Sequence, residues 1–164
     1  GHSAGGLSIS AAAEAAPERV SRLIYVAALI PRAGDSVIGL MGALTGERPQ
    51  VAFRRAEDGL SYAFDPEGAG PVLYNGASPA AMEQALARIT YEPTAPHREA
   101  IALGAAFESV AKSALICTED RVIPAVDQAR MAAGVAEVAR IDTGHSPFLS
   151  TPEKLAALLD AMAS

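Results

Sequence analysis

Positive charge is in short supply in this sequence. Its 13 lysine and arginine residues are outnumbered by 19 aspartate and glutamate residues, which gives a formal net charge of −6 at pH 7. Proteins that bind nucleic acid or an anionic membrane surface neutralise phosphates with basic side chains, so this balance argues against both partners. No uninterrupted apolar stretch approaches the roughly 20 residues that a membrane-spanning helix requires. We therefore expect neither nucleic acid nor a membrane as a partner.

Cysteine is nearly absent. Cys117 is the single cysteine, which excludes an internal disulfide bond and is compatible with a reducing compartment, so we expect a cytoplasmic protein. Cys117 lies within an apolar run, where a free cysteine behaves as a small buried hydrophobe rather than as a nucleophile. No set of His, Cys, Asp and Glu residues has the spacing of a zinc site, and the glycines near the start lack the lysine of a phosphate-binding loop. The sequence therefore predicts no metal site.

Hydrophobic residues, by contrast, make up 50% of the 164-residue chain, which suffices for one domain with a core. At both ends of the chain, short apolar runs alternate with helix signals, and this alternation is typical of a parallel sheet flanked by helices. We predict strands at 22–29, 113–118 and 137–141, and helices at 5–16, 126–136 and 152–163, the last with Thr151 as its N-cap.

The segment between these two parts has a different character. Prolines and glycines are scattered among short elements, and no strand–helix rhythm repeats there. We interpret residues 31–99 as an inserted cap, and residues 1–30 together with 100–164 as the core. Within the cap the sequence predicts a short helix at 36–44, a helix from Ser78 to near Tyr91, and short strands at 60–64 and 72–74.

The first five residues, Gly-His-Ser-Ala-Gly, have the form G-x-S-x-G. In this pattern the serine lies on a sharp turn between a strand and a helix, and its small neighbours let the backbone make that turn. Ser3 is therefore a candidate nucleophile. The N–H of Ala4, which follows it at the start of the predicted helix, is a candidate donor to an oxyanion. The alternative is a terminal segment without function.

Two of the predicted strands end next to an acid and a histidine. Asp120 follows the strand at 113–118, and His145 follows the strand at 137–141. Because the carboxyl ends of parallel strands meet at one edge of a sheet, both side chains should lie there together with Ser3. A hydroxyl to attack, an imidazole to take and return the proton, and a carboxylate to hold the imidazole form a nucleophilic triad. The neighbouring carboxylates Glu119 and Asp142 are alternatives for the acid.

Four segments carry a resemblance to a known family: GHSAGG at 1–6, LYNGASPAAMEQALARI at 73–89, ICTEDRVIP at 116–124 and GHSPFLSTPEKLAALL at 144–159. On these segments the sequence resembles the C-terminal two-thirds of an α/β-hydrolase. Within that superfamily it is similar to the plant methyl esterases and hydroxynitrile lyases and to their bacterial esterase relatives. The resemblance implies an α/β fold, with a mostly parallel sheet, flanking helices and an inserted cap, whose N-terminal strands are missing from this chain.

The same resemblance implies an activity. It implies hydrolysis of a small carboxylic ester through an acyl-serine, with Ser3, Asp120 and His145 as the triad and with no metal or organic cofactor. An acid followed by three residues and a proline favours Asp120 over Glu119. Lyases of this group carry a lysine directly after the triad histidine, and Ser146 at that position favours an esterase over a lyase. A small-ligand-binding scaffold without catalysis and a structural role are further alternatives.

The expected partners are therefore a small ester substrate and a segment of the same domain that precedes Gly1. That segment would cover the apolar edge of the strand at 22–29 and supply the second oxyanion donor. We expect His2 to pack beside the turn at Ser3, and His97 to be a solvated surface residue. Arg54 and Arg55 are candidates for binding a carboxylate of the substrate, although arginines of this kind are more often solvated surface charges.

Overall fold

The computed structural model describes the whole chain, Gly1–Ser164. Its strands are β1 (Arg22–Val26), β2 (Phe53–Arg55), β3 (Ser61–Phe64), β4 (Glu92–Pro93), β5 (Ala111–Cys117) and β6 (Glu137–Ile141). Its helices are α1 (Gly5–Ala15), α2 (Val37–Gly42), α3 (Pro66–Leu73), α4 (Pro79–Leu86), α5 (Ala95–Arg98), α6 (Ala105–Ser109), α7 (Ala125–Met131), α8 (Pro147–Ser150) and α9 (Pro152–Ala163). None of these helices is both long and apolar enough to cross a membrane.

The larger sheet is parallel throughout, in the order β1-β5-β6. Side chains of β1 alternate between its faces, so that Leu23 and Tyr25 join one buried cluster while Val26 joins another. The first cluster includes residues of α1 and α6, and the second includes residues of α9. Helices therefore cover both faces, which explains why β1 reads as a continuous apolar run.

The smaller sheet is antiparallel, in the order β2-β3-β4, and lies within the predicted cap. Aromatic side chains hold its first two strands together, since the Phe53 ring packs at 5.3 Å from the Tyr62 ring and 4.8 Å from the Phe64 ring, centroid to centroid. Aromatic pairs across neighbouring strands stabilise short hairpins of this kind. The predicted cap therefore contains a sheet of its own, separate from the parallel sheet.

The prediction of a strand at 72–74 is wrong. Val72 and Leu73 are the last two residues of α3, and Tyr74 is its C-cap. Asp65 caps this helix by accepting a hydrogen bond from the N–H of Glu67, and Pro66 occupies the first helical position. Both are strong helix-start signals. Val72 and Leu73 are therefore buried as residues of a helix, and the short apolar run does not decide the local structure.

Predicted helix ends also differ, and α7 ends at Met131 rather than at residue 136. Helix α4 starts at Pro79 as predicted but ends at Leu86 rather than near Tyr91, because the chain must become extended for Glu92 to pair with Tyr62. Thr151 occupies the N-cap position of α9 as predicted, but its hydroxyl donates to the carbonyl of Pro147 instead of accepting an N–H of the helix.

A buried carboxylate joins the cap to the core. Asp127, at the start of α7, has a fully buried side chain. It accepts hydrogen bonds from the Thr45 N–H and hydroxyl, from the Gly46 N–H, and from Arg130. These bonds lower the pKa of Asp127 to about 2, against the opposing effect of burial. A Cβ at Gly46 would lie 2.5 Å from the Cβ of Pro124, so the loop fits here only with glycine.

We expect Asp127→Ala to lower the free energy of unfolding by about 3 kcal/mol, because several donors would lose a buried charged acceptor. Urea denaturation at pH 7 measures this loss. Since the pKa is lowered in the folded state, the contribution is present above the ordinary value of 3.8 and is lost as the pH falls towards 2. Asp127→Asn, which keeps the shape, is the matched variant, and wild-type stability in both variants would contradict the prediction.

Candidate active site

Ser3 lies on a strained turn between the sheet and α1. His2 still pairs in parallel with Val26 of β1, and α1 starts at Gly5. Between them Ser3 has φ of 54°, a left-handed conformation that non-glycine residues rarely adopt. Its carbonyl accepts the N–H groups of Gly6, at 3.1 Å, and Leu29, at 3.1 Å, which fix the turn. The sequence pattern predicted this sharp strand-to-helix turn.

The turn requires glycine at positions 1 and 6, and it does not require the second glycine of the pentapeptide, Gly5. A Cβ at Gly1 would lie 2.7 Å from the carbonyl oxygen of Gly5, and a Cβ at Gly6 would collide with the carbonyl oxygen of Leu29. At Gly5 a Cβ would meet open space. Close backbone approach therefore demands glycine at the sixth position rather than at the fifth.

Asp120 and His145 come together at the carboxyl edge of the parallel sheet. Asp120 Oδ2 lies 2.8 Å from Nδ1 of His145, and both side chains are almost fully buried. Because the carboxylate oxygen accepts, Nδ1 carries the hydrogen and Nε2 keeps its lone pair. Asp120 Oδ1 accepts the N–H groups of Val122, at 2.7 Å, and Ile123, at 2.9 Å. The carboxylate therefore holds the imidazole in one tautomer and one orientation.

Gln128 of α7 is a part of this arrangement that the sequence analysis missed. Its side-chain N–H donates to Asp120 Oδ2 at 2.9 Å and to the Ile123 carbonyl at 2.7 Å. Its side-chain oxygen accepts the N–H of Cys117, the last residue of β5, at 3.1 Å. Gln128 thus ties Asp120 to the end of the strand that carries it. A polar residue on the buried face of a helix was the signal available.

Ser3 and His145 line the same cavity, of about 710 Å³. The Ser3 hydroxyl makes no hydrogen bond, either to His145 or to any other residue. The N–H of Ala4 also donates to no acceptor in the chain, and Ala4 lines the cavity beside Ser3. A serine hydroxyl, an imidazole and a free amide donor therefore share one cavity, and these are the groups that acyl transfer to serine needs.

Comparison with known proteins gives the family. The sequence pattern of the alpha/beta hydrolase family matches residues 1–158. The chain belongs to this family. The predicted α/β-hydrolase fold is thereby confirmed, and the parallel sheet with helices on both faces is its core.

Several relatives of this α/β-hydrolase chain are known. It is 29% identical over 170 residues to the alpha/beta hydrolase nvfD of Aspergillus novofumigatus (strain IBT 16806), covering 97% of this chain and 66% of that protein. It is also 29% identical over 170 residues to Methylesterase 7 of Arabidopsis thaliana, covering 96% of this chain and 65% of that protein. The chain thus spans about two thirds of the length of these relatives.

Solved structures show the same fold. A pyrethroid hydrolase from Sphingobium faniae JZ-2 superposes with a TM-score of 0.82 at 24% identity, covering 99% of this chain and 68% of that one. A polyneuridine aldehyde esterase superposes with a TM-score of 0.82 at 19% identity, covering 100% of this chain and 70% of that one.

The α/β-hydrolase core places the alternative acids away from the imidazole. Glu119 is exposed, and its backbone rather than its side chain is engaged, with Thr143 and Asn75. Asp142 is exposed and accepts a hydrogen bond from the Thr118 hydroxyl at 3.0 Å. Ser146, at the position of the lyase lysine, is buried and donates to the carbonyl of Leu73. Asp120 is thus the one of the three carboxylates that contacts His145.

The other two histidines of this α/β-hydrolase are both partnered. His2 Nε2 lies 2.7 Å from the carbonyl oxygen of His145 and so donates to it, and the two rings lie 4.5 Å apart. Burial, together with the charge of His145, lowers the pKa of His2 to about 4. His97 is not the solvated residue that we expected. Its Nδ1 is hydrogen-bonded to the Tyr62 hydroxyl, and its Nε2 lies 3.5 Å from a carboxylate oxygen of Glu92.

We expect His2 to stay neutral down to about pH 5 in the folded protein, with its hydrogen on Nε2. Because its pKa falls from 6.5 to about 4 on folding, the unfolded chain binds a proton first, and stability declines as the pH drops from 6.5 towards 4. A ¹H–¹⁵N NMR titration of the histidine rings measures the pKa. His2→Gln, which keeps a donor but does not titrate, should remove this share of the pH dependence. A His2 pKa near 6.5 would refute the expectation.

Proposed function

We propose that this protein is a serine hydrolase that cleaves a small carboxylic ester through an acyl-serine intermediate. The observation that carries the proposal is the buried hydrogen bond between Asp120 and His145, which leaves Nε2 of the imidazole as the base in the cavity that Ser3 lines. The names of the similar proteins, a methylesterase, a pyrethroid hydrolase and an esterase, support ester hydrolysis as the reaction class.

In the proposed reaction His145 Nε2 takes the proton of the Ser3 hydroxyl as its oxygen attacks the ester carbonyl. The tetrahedral intermediate collapses, and the protonated imidazole gives its proton to the departing alkoxide, which leaves as the alcohol. A water then loses its proton to His145 and attacks the acyl-serine, and the carboxylic acid departs as Ser3 recovers its hydrogen. Asp120 stabilises the charged imidazole in both halves of the reaction without taking its proton.

The developing oxyanion requires amide donors at the cavity. The unpaired N–H of Ala4, at the start of the 11-residue helix α1, supports Ala4 as one donor. We propose that a second donor comes from a segment of the same domain that precedes Gly1. Gly1 and His2 already run parallel to β1, with the Gly1 carbonyl accepting the N–H of Val26 at 2.9 Å. A strand that leads into Ser3 would continue this pairing.

We expect Ser3→Ala to lower ester hydrolysis by at least about 10³-fold, because the attacking oxygen is removed. Hydrolysis of a panel of short carboxylic esters by the full-length protein measures this loss. A fluorophosphonate probe should label the wild-type protein and should not label Ser3→Ala. Ser8→Ala, the same substitution on the exposed side of α1, is the matched control and should behave as wild type.

The same experiment separates the alternatives. A native protein that binds esters but is neither labelled nor active would favour a non-catalytic binding scaffold and would overturn the hydrolase. Cyanide release from cyanohydrins with little ester turnover would favour a lyase. The engagement of Ser146 with Leu73, in place of a lysine facing the cavity, speaks against that second outcome.

A further inference from the structure

A second cavity, of about 460 Å³, extends from Ser3 and Ala4 into the cap, and we call it the cap lobe. The charged side chains of its lining are mostly basic, whereas the protein as a whole carries a net charge of −6. Three arginines, Arg48, Arg55 and Arg98, line it. This concentration of guanidinium groups beside a candidate nucleophile calls for a chemical explanation, because like charges gathered in one cavity repel one another.

The arginines of the cap lobe are largely unpaired. Arg55 and Arg98 make no side-chain hydrogen bond and no ion pair. Arg48 is half-buried and donates one hydrogen bond, from Nη2 to the carbonyl of Met41 at 3.0 Å. The single carboxylate in the lining, Glu92, lies 3.5 Å from Nε2 of His97. Arg55 and Arg98 are exposed, so the lobe offers guanidinium donors that solvent, and no group of the protein, satisfies.

Strand alternation explains which arginine of β2 reaches the lobe. Phe53 and Arg55 both line it, whereas Arg54, between them, does not. This is the period of two that side chains follow along a strand. Of the two arginines that the sequence analysis considered for binding a carboxylate, the fold therefore selects Arg55 and excludes Arg54.

The lining beside the arginines is aromatic. Phe53 packs against both Tyr62 and Phe64, and all three line the lobe. The Tyr62 hydroxyl is hydrogen-bonded to His97, which fixes the orientation of both side chains. An apolar wall next to free guanidinium groups suits a ligand with a hydrocarbon body and an anionic end, because a guanidinium binds a carboxylate with two parallel hydrogen bonds.

We propose that the cap lobe binds a carboxylate on the part of the substrate remote from the scissile ester, with Arg55 as the main contact and Arg48 and Arg98 beside it. The preferred substrates are then half-esters, which carry one ester to be cleaved at Ser3 and one free carboxylate held in the lobe. This inference rests on the proposed ester hydrolase activity. It adds the charge of the substrate, which neither the triad nor the fold determines.

The test compares matched substrate pairs with the full-length protein. Monomethyl esters of linear dicarboxylic acids of increasing length are assayed beside the methyl esters in which a carboxamide replaces the free carboxylate. We expect kcat/KM to be about tenfold higher for the carboxylate member at the best chain length, as one ion pair of this kind can provide. The preference should shrink as salt is added, because the arginines lie in an open cavity.

Arg55→Gln should remove most of this preference, because kcat/KM for the carboxylate member should fall much further than kcat/KM for the carboxamide member. Arg54→Gln removes the same charge from the neighbouring residue of β2, which lies outside the lobe. This variant should keep the preference for the carboxylate member. Equal kcat/KM for the two members of every pair in the wild-type protein would overturn the inference, and so would equal losses in the two variants. Both outcomes leave the hydrolase standing. If no ester of either kind is cleaved, the proposed function itself fails, and this inference fails with it.

Discussion

The hydrogen bonds around the carboxylate of Asp120 set the geometry of the carboxyl edge of the parallel sheet. A buried carboxylate is costly unless its oxygens are satisfied, and here each oxygen accepts two hydrogen bonds. Two donors are backbone amides of its own turn, which fix the loop after β5. The others are Gln128 and His145, which bring α7 and the loop after β6 to the same point. The loop after β5, the helix α7 and the loop after β6 are therefore held together by the need to satisfy one charge.

The opposite side of the same edge depends on backbone strain. Ser3 and Ala27 are the only residues other than glycine with positive φ, and each such residue costs roughly 1–2 kcal/mol. Hydrogen bonds to neighbouring segments hold both conformations, since the N–H of Leu29 donates to the carbonyl of Ser3 and the N–H of Ala27 donates to the carbonyl of Leu115 in β5. The conformation of Ala27 also explains why β1 ends at Val26 and not at the predicted residue 29. The strand is shortened so that the chain can turn beneath Ser3.

The sequence was most informative where one local signal decides the structure. The apolar runs predicted all three parallel strands, and the positions of Asp120 and His145 after β5 and β6 follow from those strand ends. It was least informative where partners lie far apart. The bond between His97 and Tyr62 joins residues 35 positions apart, and only the folded cap brings them together. The prediction of a strand at 72–74 failed for a different reason, since the helix start at Asp65 overrides the strand preference of a short apolar run.

The start of α7 connects the predicted cap to the edge of the sheet at which Asp120 lies. Asp127 and Gln128 are consecutive, and neighbouring residues of a helix point about 100° apart, at 3.6 residues per turn. Asp127 accordingly reaches the cap loop at Thr45 and Gly46, while Gln128 reaches Asp120 on the core. Each is buried, so neither can move without leaving a polar group unsatisfied. The loop at Thr45 and Gly46 and the acid that orients His145 are thus anchored on a single helical turn.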